Sequence, residues 1–188
     1  MKSSSGCVIP SPSRRLPILH LFVCGSVALT AMTLRAASPD DPSCKAVLDA
    51  TAKMEHTDNH QRITIGQKGQ ETEEGESIQV GNTSYIKIDN EWHTSPLSPK
   101  DSTAQRQENI RNTKVFTCQY ERDETVNGEP AAVYKTHQES DEVKADAELW
   151  VSKSRGLVLK EVVKHPDDQQ SITVLVDYAN VQKPAVVK

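Results

Sequence analysis

Trp150-Val151-Ser152-Lys153-Ser154-Arg155-Gly156-Leu157-Val158-Leu159-Lys160 is the stretch that decides how this chain folds. Apolar runs on either side of a polar centre read as two β-strands joined by a turn, and Gly156 is free to take the positive φ that the turn needs. A third strand, 171–178, follows the break Pro166-Asp167-Asp168-Gln169-Gln170. The three form an antiparallel meander.

Working outward, 145–152 supplies the first strand of that meander and 157–165 the second. Upstream, strands are expected at 114–121 and 132–137, linked through the turn dipeptide Asn127-Gly128. Earlier still, Ile63/Ile65, Ile78/Val80 and Ile86/Ile88 alternate with polar neighbours in 61–67, 76–81 and 84–89. Each of these strands therefore shows one face to a core and the other to water. The acidic tract 68–75 between the first two reads as a solvated hairpin tip, and Trp92 falls just past a turn at Asn90-Glu91.

Two segments carry helical character. In 42–55, Cys44, Val47, Leu48, Thr51, Ala52 and Met54 form a partial apolar stripe, with Ser43 as the expected N-cap. Between 95 and 112, Ser-Pro-Leu-Ser-Pro opens a polar stretch whose part 101–110 predicts a short helix, suited to a crossover or lid over the sheet. The fold class is thus α+β, with an antiparallel sheet of about eight strands and one or two helices.

The start of the chain has the form of a secretory signal. Lys2, Arg14 and Arg15 precede an apolar run over 16–33, and Ala36, Ala37 and Ser38 then offer small residues for cleavage near Ala37. The competing reading is an uncleaved anchor, because the run is near the shortest length that spans a bilayer. Removing 1–37 takes away four basic residues and no acid, leaving 18 basic against 26 acidic side chains and a net charge of −8 over 151 residues. Such an acidic domain is poorly matched to nucleic acid or to an anionic lipid surface. After cleavage it is expected to be periplasmic or secreted and not an integral membrane protein. Two cysteines, Cys44 and Cys118, then remain, and in an oxidising compartment they are expected to pair; two free thiols are the alternative.

The order of helix and hairpins, the turn Asn127-Gly128-Glu129-Pro130, the Trp-Val-Ser…Gly-Leu-x-Leu-Lys hairpin and the closing Val176-Asp177-Tyr178-Ala179-Asn180-Val181 together resemble the LolA/LolB-like superfamily. The resemblance is strongest over 125–184. It implies an open half-barrel over 38–184, covered by helices, with a frayed tail at 185–188. It also implies an exported protein that binds a lipid or a lipoprotein acyl chain in an apolar groove on the concave face of the sheet. The candidate lining is Ile63, Ile65, Ile86, Ile88, Val115, Val133, Leu149, Val151, Ile172, Val174 and Val176. An alternative of another class is a regulatory module with a closed core that contacts an envelope protein. Few aromatic residues are present to line a roomy cavity: outside 1–37 the chain has one phenylalanine, Phe116, and two tryptophans, Trp92 and Trp150.

No enzyme or cofactor is expected. The chain has no Gly-x-Ser-x-Gly elbow or glycine-rich phosphate loop. The acids Asp123/Glu124 and Glu139/Asp141/Glu142 lie in turn-rich stretches and read as solvated charges. His56 and His60 have the i, i+4 spacing of a metal pair, but their segment reads as a helix end and turn, and no third ligand is apparent. Trp150 falls on the strand face opposite Leu149 and Val151; its expected place is beneath the first helix, and the alternative is a wall of a binding groove or a partner contact.

Overall fold

A computed structural model describes residues 42–67, 72–141, 144–165 and 170–187. The proposed signal at 1–37 lies outside these residues, as does most of the hairpin break at 166–170. The elements run α1 (Pro42–Glu55), β1 (Asn59–Gln67), β2 (Glu73–Val80), β3 (Thr83–Ile88), β4 (Glu91–Thr94), α2 (Pro99–Arg111), β5 (Val115–Val126), β6 (Glu129–Glu139), β7 (Lys144–Ser152), β8 (Val158–His165) and β9 (Gln170–Asp177). All nine strands join one antiparallel sheet in the order β4-β3-β2-β1-β9-β8-β7-β6-β5. The sheet is open, with β4 and β5 at its edges. Two meanders, β1–β4 and β5–β9, are sewn together where β1 pairs with β9. The chain therefore has to travel from one edge of the sheet to the other between β4 and β5, and α2 lies on that crossover.

The turns form as their residues dictate. Gly156 has φ 61°, and Asn127 and Gly128 have φ 50° and 84°. The ninth strand is β4, which follows the turn at Asp89 and Asn90, both at positive φ.

Helix α1 begins at Pro42, so Ser43 lies inside its first turn and is not its N-cap. Cys44, Val47, Ala50, Thr51 and Met54 recur at intervals of three and four and are all buried. Burying a side chain such as Val47 or Met54 stabilises the fold by about 2 kcal/mol. Asn59, 1% exposed, ends the helix by donating to the carbonyls of Met54 (3.2 Å) and Thr57 (2.8 Å). The Cys44–Cys118 disulfide ties the first turn of α1 to β5.

Apolar side chains fill two clusters, one on each face of the sheet. On the face carrying α1, Val47, Ala50 and Met54 pack on Leu149, Val151, Val158 and Val176. On the other face, Ala131, Val133, Trp150 and Leu159 pack together. An irregularity in the β7–β8 pairing makes this division possible: Val151 pairs with Val158 and Trp150 with Lys160, leaving Leu159 as the extra residue, directed to the Trp150 side. Trp150 is 4% exposed, yet it does not lie beneath α1 as the sequence led us to expect. Its indole is satisfied on its own face, where Nε1 donates to Glu124 (2.6 Å) and Lys160 Nζ stands 4.3 Å from the ring centroid.

Candidate functional site

Strand register assigns the candidate lining residues to faces, because residues paired across an antiparallel ladder share a face. Val174 pairs with Ile63 and Ile172 with Ile65; Val174 and Val176 pack in the cluster beneath α1 or beside it. Through Ile63↔Gly75 and Ser77↔Ile86, the same face continues across β2 to Ile86 and Ile88. Leu149 and Val151 join it from β7. Nine of the eleven candidates thus share the helix-bearing face. The other two do not. Val133 pairs with Trp150 and packs in the opposite cluster, and Val115 is one residue out of phase with Phe116 and three with Cys118, which reaches α1 through the disulfide.

Cover over this face is uneven. Leu149, Val151 and Val176, beneath α1, are buried, whereas Ile63, Ile65, Ile86, Ile172 and Val174 are only partly so, and Ile88 is 50% exposed. The second helix does not complete the cover with apolar side chains. Its sequence, PKDSTAQRQENIR, buries only Pro99. A capping box holds its start, in which the backbone N–H of Asp101 donates to Ser98 Oγ and that of Ser98 donates to Asp101 Oδ2, both at 3.2 Å.

What attaches α2 to α1 is polar. Glu55, at the end of α1, accepts from Thr103 Oγ1 at 2.6 Å, and Arg106 Nε approaches its other carboxylate oxygen to 2.5 Å. That second contact is an ion pair whose N–H is not aimed at the oxygen.

A chain of hollows runs along the sheet beneath these helices. One of about 290 Å³ is lined by Met54, Ile86, Val174 and Val176 and by uncharged polar groups, among them Gln61, Ser77, Gln79 and Ser84. The next, about 140 Å³, is mostly aliphatic, with Val47, Leu48, Ile110, Phe116, Leu149 and Val163 in its wall. A third, about 580 Å³ and polar, shares Gln138, Ala145 and Val163 with the second. Arg106 of α2 and Glu161 of β8 line both the first and the second hollow. Glu161 stands between Leu149 on β7 and Val174 on β9. Burial in these apolar surroundings pushes its carboxyl above the usual carboxylate range, against a smaller opposing pull from Arg106.

Neither Arg106 nor Glu161 was among the residues singled out from the sequence. A lone acid in Val158-Leu159-Lys160-Glu161-Val162-Val163 looks like any solvent-facing strand residue until the register is known. His56 and His60 separate, since His56 follows α1 while His60 sits on β1 with its Nε2 2.9 Å from Glu76 and its ring at the edge of Trp92. Among the described residues no helix is long and apolar enough to cross a membrane.

This architecture is an open antiparallel sheet that carries two helices over one face. Among solved structures the chain is similar to LprF from Mycobacterium bovis, with TM-score 0.48 and 10% identity over 81% of this chain and 100% of that one. It is also similar to the lipoprotein LppX of Mycobacterium tuberculosis, with TM-score 0.46 and 11% identity over 77% and 97%. A third likeness is to MucB in complex with MucA(peri), with TM-score 0.47 and 15% identity over 78% of this chain and 62% of that one. No protein-family model and no curated protein sequence matches the chain.

Proposed function

We propose that the chain is an exported, non-enzymatic protein that binds an apolar ligand, a lipid or a lipoprotein acyl chain, between the sheet and its two helices. The observation that carries this reading is the half-covered strip Ile63, Ile65, Ile172 and Val174: Val174 lines the first hollow, and Ile172 and Val174 pair across the ladder with Val163 and Glu161 of the aliphatic one. A sheet face of this kind is ordinarily closed by apolar helix residues, and α2 brings almost none. A ligand that fills the hollow removes that apolar area from water at about 25 cal/mol per Å². The Cys44–Cys118 bond and the signal-like start both fit a periplasmic or otherwise extracytoplasmic location.

The test is native mass spectrometry with lipid extraction on the protein expressed from its full gene and purified gently from the periplasm. A lipid adduct is expected on the wild type. Ile65→Asp with Ile172→Asp, a facing pair on half-buried positions, should abolish it without unfolding the protein. A folded wild type carrying no adduct would defeat the ligand reading and leave a protein partner as the occupant of this face.

A further inference from the structure

Glu161 poses a problem that the rest of the groove does not solve. It is a carboxyl rising from the floor of an apolar sheet face, flanked across the ladder by Leu149 and Val174. Among the described residues it has neither a hydrogen-bond partner nor an ion-pair partner. Arg106, which lines the same hollows, is held in an ion pair with Glu55. Its other guanidinium N–H groups have no protein partner among the described residues, and with the side chain 43% exposed they are open to water or to a ligand at the mouth of the groove. Arg106 and Glu161 are the two residues common to the walls of the first and second hollows. Unused hydrogen-bonding capacity is therefore concentrated where the aliphatic hollow opens into the one lined by serine and glutamine.

Charge narrows what fits there. Two carboxyls, Glu55 from α1 and Glu161 from β8, face one guanidinium from α2, while β7 and β9 bring only Leu149 and Val174 against Glu161. With Glu161 protonated, Glu55 already balances Arg106, and an anionic head would have to compete with Glu55 for that one cation. A cationic head would have to settle beside Arg106. An uncharged oxygen acceptor avoids both conflicts, since it can take N–H groups from Arg106 and, from a protonated Glu161, an O–H. The desolvation that favours the protonated carboxyl supports this state.

We propose that Arg106 and Glu161 form the head-group site of the groove, holding the ester or amide carbonyl of an acyl ligand whose chain lies in the aliphatic hollow beneath α1 and α2. This rests on the apolar-ligand reading given above and adds the chemistry that orients the ligand. Glu161 acts as a hydrogen-bond donor in its protonated form, so acceptor-headed ligands bind more weakly once it ionises.

Three probes separate the possibilities on the wild-type protein, delipidated and checked for folding by circular dichroism. Nile red reports the apolar groove, methyl dodecanoate has a carbonyl head that does not titrate, and dodecylamine has a cationic head. The expected result is that methyl dodecanoate displaces Nile red better than dodecylamine does, and better in mildly acidic than in mildly alkaline buffer. Arg106→Gln should weaken methyl dodecanoate by about tenfold, the loss of one good hydrogen bond, and should weaken Nile red, which has no need of that bond, by less. Glu161→Gln, which keeps a donor and the side chain's shape, should retain binding and erase its pH dependence. Preference for dodecylamine, or equal binding of methyl dodecanoate by wild type and both variants, would overturn the head-group assignment while leaving the groove reading intact. Failure of Nile red and both amphiphiles to bind would take down the groove reading and this site with it.

Discussion

The guanidinium carbon of Arg155 stands 5.1 Å from the centre of the Tyr178 ring. These residues come from the two sequence features that pointed to the fold, the β7–β8 turn and the close of β9, and the structure shows why both features are there. Arg155 grips Glu129 at the start of β6 through two nitrogens, one of them Nε at 2.9 Å. Ser152, in the same turn, donates to the same carboxylate. Tyr178 passes beneath Arg155 and donates its hydroxyl to the carbonyl of Val158 at 2.6 Å. Burial holds the Tyr178 phenol well above its ordinary range. The motif is thus a clasp that joins β6, β7, β8 and β9 at one end of the sheet.

Tyr178→Phe keeps the ring under Arg155 and removes one hydrogen bond, so it should lower stability by about 1 kcal/mol, read as a shift in the urea midpoint at constant slope. Ligand binding in the groove should be unaffected, because the clasp does not line the aliphatic hollow.

Two carboxyls should give pH dependences of opposite sign. The hydrogen bonds from Arg155, and secondarily from Ser152, hold Glu129 below the carboxylate range. Its contribution is therefore present above the ordinary carboxylate value and is lost as pH falls through its lowered folded value. Glu161 is raised by burial, so the folded protein holds a proton there that the unfolded chain has already released. Between the ordinary carboxylate value and the raised one, stability must fall as pH rises. Urea unfolding over a pH series should show Glu161→Gln more stable than wild type in neutral buffer, with the gap closing in acid. A constant gap at every pH would mean that Glu161 is not the titrating group.

The disulfide should matter most to α1. It closes a separation of 74 residues, which in the chain-entropy view contributes about 4 kcal/mol. Cys44→Ser with Cys118→Ser should lower the melting temperature as much as a reductant lowers that of the wild type. In the same variant, amide exchange of Val47 to Met54 should accelerate more than that of β7 and β8. Uniform acceleration would show that the helix and sheet open together.

What the sequence disclosed about this molecule depended on how local the signal was. The bounds of α1 and the core of eight strands follow from periodicity and turn residues, each confined to a few neighbours. Strand β4 did not announce itself, since Glu91-Trp92-His93-Thr94 is four residues long and takes its identity from pairing with β3. Face assignment was harder again. Val133 and Val151 look alike in sequence, but the register sends one to Trp150 and the other to α1. Arg106 and Glu161 lie 55 positions apart and are brought to one cavity wall by a crossover whose path is set by the strand order. Nothing local marks either of them.

Helix α2 should be the least stable part of this face, and its cap is the place to test that. Pro99 is its one buried residue, so its hold comes from the Ser98–Asp101 box and the contacts of Thr103 and Arg106 with Glu55. The Ser98 hydroxyl and backbone hold Asp101 below the usual aspartate range, so the box weakens as pH falls through that lowered value. Ser98→Ala removes the cap and should cost about 1 kcal/mol, a loss felt locally because so little apolar area binds α2 to the rest. Hydrogen exchange should therefore show faster α2 amides in Ser98→Ala, with α1 and β7–β9 unchanged and the urea midpoint nearly so. Should the global midpoint instead drop by the full amount, α2 would belong to the cooperative core, and the groove beneath it would open only when the whole domain unfolds.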